Sequence, residues 1–151
     1  MPRRIILNSA AQSAASAAVN SASRLVPVAF PDIVAGNKIQ YRIFLADGNG
    51  TYEPISGDVT NFTLKLALGV IETRTTLTST TTFTGPAETI DGVATAGWQA
   101  TLDCSVPAVM DALALIASKE LVIELQVTET ATGLITTYLQ MSVQVRNRIL
   151  A

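Results

Sequence analysis

The chain has 151 residues, 48% of them apolar and only 15% charged, enough for one core but short of the roughly 25% charge of an ordinary soluble domain. A net charge of −2 excludes a nucleic-acid binder built on a basic face. The absence of histidine and the single cysteine, Cys104, exclude an internal disulfide and remove the usual general base.

From the start, Arg3 and Arg4 precede Ile5, Ile6 and Leu7, an apolar run far shorter than the roughly 7–15 residues of a secretory signal. No stretch reaches the length of a membrane span, so none is expected. The sequons at Asn49 and Asn61 then read as ordinary loop and strand sequence. From Asn8 to Ser23 there is no charge and no aromatic ring, and only Val19 offers more than a methyl group. Such a segment buries too little to offset its ordering entropy. Residues 1–23 are therefore expected to form an assembly arm outside the fold, with Arg3, Arg4, Ile5, Ile6, Leu7 and Val19 as its contacts on neighbouring subunits. The other reading is an alanine-rich helix folded onto its own domain.

Residues 24–151 are expected to form one domain. Arg24–Phe30 is a short extended segment broken by Pro27 and ended by Pro31. Ile39, Tyr41, Ile43 and Leu45 then alternate with Lys38, Gln40 and Arg42, the pattern of a half-buried strand. Turns at Asp47–Gly50 and Ile55–Asp58 lead to the cleanest alternation, Phe62, Leu64, Leu66, Leu68 and Val70. The threonine-rich Glu72–Thr84 favours extended backbone, and Trp98, Ala100 and Leu102 resume the period of two. Val106, Val109, Met110, Leu113 and Ala117 fall at helical spacing, with Ser105 placed to cap and Pro107 in the first turn; a helix of about three turns is expected. Leu121–Val127 and Ile135–Val145 close the chain as a hairpin. The expectation is a mainly β protein: an antiparallel β-sandwich of about seven strands with one short helix and an extended amino-terminal arm. Its core should hold Phe62, Leu64, Leu66, Leu68, Trp98, Leu102, Ile123, Leu125, Leu139 and Val143.

Catalytic chemistry is hard to build from these residues, and no enzyme and no cofactor are expected. Cys104 lies between Asp103 and Ser105 with no cation to lower its pKa, and reads as a small apolar residue at a strand end. Asp47, Asn49, Thr51 and Glu53 alternate like the oxygen ligands of a calcium loop, without the spaced glutamate of a full one. They serve equally as Asp-Gly and Asn-Gly turn residues, the preferred reading. Trp98 could stack a sugar, but it alternates in phase with Ala100 and Leu102, which suits a core position.

The stretches WQATLD (Trp98–Asp103), VPAVMDALAL (Val106–Leu115), LVIELQVTET (Leu121–Thr130) and ITTYLQMSVQVRNRI (Ile135–Ile149) resemble the end of small tailed-phage virion proteins. NKIQYRIFLADGNGTYEPISGDVTNFTLKLALG (Asn37–Gly69) resembles the opening strands of the amino-terminal attachment domains of phage baseplate and receptor-binding proteins (the upper-baseplate type). The resemblance implies a non-enzymatic structural subunit of a tail, baseplate or fibre attachment. It would assemble in the host cytoplasm with copies of itself and neighbouring virion proteins. A capsid decoration or head-fibre protein is the alternative, and a carbohydrate- or calcium-binding module a second one.

Overall fold

A computed structural model describes residues 3–8, 13–16, 32–46, 62–84, 88–90, 93–95 and 97–148. The protein is mainly β, with one short helix. Its strands are β1 (Arg3–Asn8), β2 (Ser13–Ser16), β3 (Ile33–Val34), β4 (Lys38–Ala46), β5 (Phe62–Val70) and β6 (Thr75–Thr80). They continue with β7 (Glu88–Ile90), β8 (Val93–Thr95), β9 (Gly97–Asp103), β10 (Ser118–Glu129) and β11 (Ile135–Arg146), the helix α1 (Pro107–Ala112) lying between β9 and β10.

One sheet has the order β2-β1-β4-β9, a second β3-β11-β10-β5-β6, and β7-β8 is a separate hairpin. In the five-stranded sheet the alternation read from the sequence becomes rows of aligned side chains. Leu66 of β5 faces Leu125 of β10, which faces Leu139 of β11. Leu68 pairs with Ile123, and Leu121 with Val143. All seven are buried, and such cross-strand contacts are the unit of sheet stability. In the four-stranded sheet the corresponding row is Ile5, Ile43 and Trp98. Both rows belong to one buried cluster. Of the ten expected core residues nine are buried and Phe62 is half-buried against them.

Four expectations are corrected. First, the sheets are mixed: β1 runs parallel to β4, and β3 parallel to β11. Second, Arg3–Asn8 does not stand outside the fold; β1 is an interior strand of its sheet, and Ile5 is fully buried in the chain's own core. Arg3, Arg4, Ile6 and Leu7 belong to the same strand, and Ser13–Ser16 pairs with it. The short aliphatic run that looked like a docking tip is a strand because β4 supplies the ladder partner that a local reading cannot see. Val19 lies outside the described residues.

Third, the helix is six residues long, begins after Val106 and has no side-chain cap. Ser105 is turned away from capping: its hydroxyl and its N–H both donate to Oδ1 of Asp103. Past the helix, Asn147 Nδ2 donates to the carbonyls of Leu113 (3.0 Å) and Ile116 (3.2 Å), satisfying carbonyls near the helix end from the residue that follows β11. Fourth, the inward set of β11 is broken by a bulge. Leu125 pairs with Leu139 while the next residue, Gln126, pairs with Thr137. Tyr138 is the extra residue, so the face changes there. Ile135 and Thr137, in phase with Leu139 and Val143 by a period of two, are exposed instead, and Tyr138 packs against the core.

Strand β4 is exposed on one face at Lys38 and Gln40 and buried on both faces around Arg42–Phe44. Ile39, Tyr41 and Ile43 point to the core as expected, but Arg42 is only 5% exposed and Phe44 is fully buried. The Arg42 guanidinium lies 5.0 Å from the centroid of the Phe44 ring, within cation–π range. Gly97, opposite Phe44 on β9, leaves room for that ring: a Cβ there would come within 2.8 Å of it. The two sheets are tied at a corner by the Thr84–Gln99 bridge and by Thr78 Oγ1, which donates to the Asp103 carbonyl at 2.8 Å.

Candidate functional site

The outward face of β5, β10 and β11 carries the residues that alternate with the core rows. Because β5 and β10 are in register, Ala67 lies opposite Glu124, Gly69 opposite Val122, and Lys65 opposite Gln126. The small side chains at Ala67 and Gly69 leave a depression, and longer residues wall it. It forms an open groove of about 460 Å³, bordered by Val70, Ile71, Arg74, Thr75 and Thr76 at one end and reaching Gln140 of β11. Its size falls within the range of ligand clefts.

Gly69 is required at its position. The ladder between β5 and β6 is irregular between Leu68 and Gly69, and a Cβ on Gly69 would come within 2.4 Å of the Thr75 carbonyl oxygen. The bulge thus lowers the floor and brings β6 close. The turn after it places Arg74, at φ 52, on the groove wall.

Glu124 is the acidic group of the groove, and both its oxygens are engaged. Gln126 Nε2 donates to Oε1, and Gln140 Nε2 donates to Oε2 at 2.7 Å. A carboxylate held between two amides on a solvent-facing sheet is a cross-strand strut. Among the described residues no second carboxylate lines the groove beside it. What remains to meet an incoming group is an aliphatic floor flanked by the Lys65 ammonium and the Arg74 guanidinium.

The other expected sites separate. Asp47, Asn49, Thr51 and Glu53 lie outside the described residues. Among the described residues no three His, Cys, Asp or Glu stand together as a metal site. No helix among them is long and apolar enough to cross a membrane. Trp98 is 3% exposed and packed in the core, so it offers no platform for a sugar. Cys104 is fully buried at the end of β9. Asp103, beside it, is held below the usual carboxylate range by the side-chain hydrogen bond from Ser105, then by the backbone N–H of Ser105, with Lys38 at 3.9 Å adding to both. Its work is to brace the turn from β9 into α1. Desolvation raises the Tyr138 phenol above its ordinary range.

Sequence reasoning missed the groove because its residues are the unremarked half of two alternating patterns. It also missed a surface feature. Large aliphatic side chains are exposed at both ends of the β10–β11 hairpin: Ile71, Leu115 and Ile116 at one end, Leu134 and Ile135 at the other. Leu115 is fully exposed and holds φ 70, a conformation that is strained for a leucine. No family model and no curated protein matches the chain.

Proposed function

We propose that the chain is a non-enzymatic structural subunit of a tailed-phage particle, its two larger sheets packed as a sandwich, joining tail, baseplate or fibre parts by contact with copies of itself and neighbouring virion proteins. The observation that carries the assembly half of this reading is the pair of aliphatic clusters at opposite ends of the β10–β11 hairpin. A small domain with so little charge gains by covering them against neighbours. Strands of twelve residues each set the two ends roughly 40 Å apart, so each end meets a different neighbour. The virion half rests on the resemblance of the strand and turn phrases from Asn37 to Ile149 to phage attachment and tail proteins. The acidic side chains resolved at the groove and at the helix entry are engaged in struts, which suits a building block. Labelling purified particles with an antibody to the chain, followed by electron microscopy, tests the reading. Label on the tail or its attachments supports it, label on the capsid shell favours a decoration protein, and particles without label overturn it.

A further inference from the structure

We propose that the outer groove receives the tip of the β10–β11 hairpin of a second copy, so that copies join head to tail; this rests on the assembly reading above. The two surfaces match in chemistry. The groove combines a small apolar floor with Lys65 and Arg74, and its one carboxylate, Glu124, is already held by two glutamine amides. The tip presents Leu134 and Ile135, 65% and 64% exposed, and Glu129 is its only charged residue from Thr128 to Ile135. An aliphatic pair beside one carboxylate meets an apolar floor beside two cations.

The tip is also pre-organised. The Glu129 N–H donates to the Leu134 carbonyl at 2.9 Å, and the Gly133 N–H to the Glu129 carbonyl at 2.8 Å. A turn already closed loses little freedom on docking. The chain cannot fill its own groove with it. Gln126, the groove residue nearest the tip, is three residues from Glu129 on the same strand, and the paired hairpin runs on away from the groove and cannot fold back over its own face. Because tip and groove are different patches, the contact is heterologous, and repetition gives a ring or a filament.

The test uses the full chain. Sedimentation and light scattering should show assemblies beyond the dimer that grow with concentration. Leu134→Asp should weaken self-association by at least about tenfold, and Glu129→Lys by about fivefold. Adding Arg74→Glu to Glu129→Lys should restore most of that loss, since the pair is reversed intact. Circular dichroism checks that each variant folds. Independently, Ile135→Cys combined with Thr76→Cys should give a ladder of disulfide-linked copies on oxidation. A monomeric wild type, a double charge reversal no better than the single change, or no ladder overturns the inference. Particle labelling without self-association removes this contact and leaves the virion reading; self-association in a protein absent from particles does the reverse.

Discussion

Strands β10 and β4 look alike in sequence and behave differently in the fold. Each alternates apolar and polar residues over six positions, Lys38–Ile43 in β4 and Ile123–Thr128 in β10. In β10 the alternation is literal: Leu121, Ile123, Leu125 and Val127 are buried and their neighbours half-exposed. In β4 the second face starts exposed at Lys38 and Gln40 and then goes under cover, with Arg42 and Phe44 both buried. The difference lies in what each strand's second face meets. An alternating pattern reports one face reliably, the apolar one. It says the other face is wet only when no further part of the chain packs there, and on β4 that face is covered from Arg42 onward.

The sharpest way to break this comparison is to remove β1. Deleting residues 1–8 takes away Ile5 and the six-residue parallel ladder with β4. The expected cost exceeds that of burying one isoleucine, more than about 4 kcal/mol. That approaches the whole stability of a small domain, so the cooperative thermal transition should be lost or fall steeply. An unchanged Tm would mean that the strand is not part of the core. Next comes Leu125→Ala in β10, expected to cost about 2–5 kcal/mol in denaturant unfolding, while Val122→Ala on the groove face should cost less than about 1 kcal/mol. Equal losses at the two positions would put the strand's faces in doubt.

A smaller effect tests the two-sided burial of β4. Gly97→Ala should cost about 1–3 kcal/mol, because the new methyl meets the Phe44 ring and the ring must move. The smallest concerns Asp103. Its carboxyl is held below the usual range, so its contribution is present above the unfolded pKa and is lost as pH falls through the folded one. Asp103→Ala should lower Tm slightly at neutral pH, and the melting curves of variant and wild type should converge in acid. A gap that widens in acid would reverse the sign and contradict the hydrogen bonds from Ser105.

Most of the five-stranded sheet was legible, since β5, β10 and the end of β11 are held by cross-strand rows that local alternation reports directly. The bulge at Tyr138 was not, for one inserted residue changes the ladder without changing the alternation. Ile135 therefore fell on the wrong face. The strand at Arg3–Asn8 was hidden for a related reason: its short aliphatic run finds its ladder partner, β4, more than thirty residues on. The helix falls short at its far end, where Leu113 leaves helical geometry and Leu115 turns to φ 70, a break that the apolar spacing through Ala117 does not announce. The groove needed two strands in register and a glycine beneath the Thr75 carbonyl, neither visible in one strand alone.

The pairing of Leu66 with Leu125 has a consequence for how the chain is made. At about 5–20 residues per second of synthesis, the leucine face of β5 waits roughly 3–12 seconds for β10 to leave the ribosome. Its hairpin partner β6 is almost all serine and threonine and gives that face little to bury against. During this interval the nascent chain shows an apolar strand with an unpaired edge, the condition under which neighbouring copies on one message associate wrongly. Slower initiation, which spaces ribosomes apart, or a chaperone that occupies Phe62–Val70 protects the chain until β10 arrives.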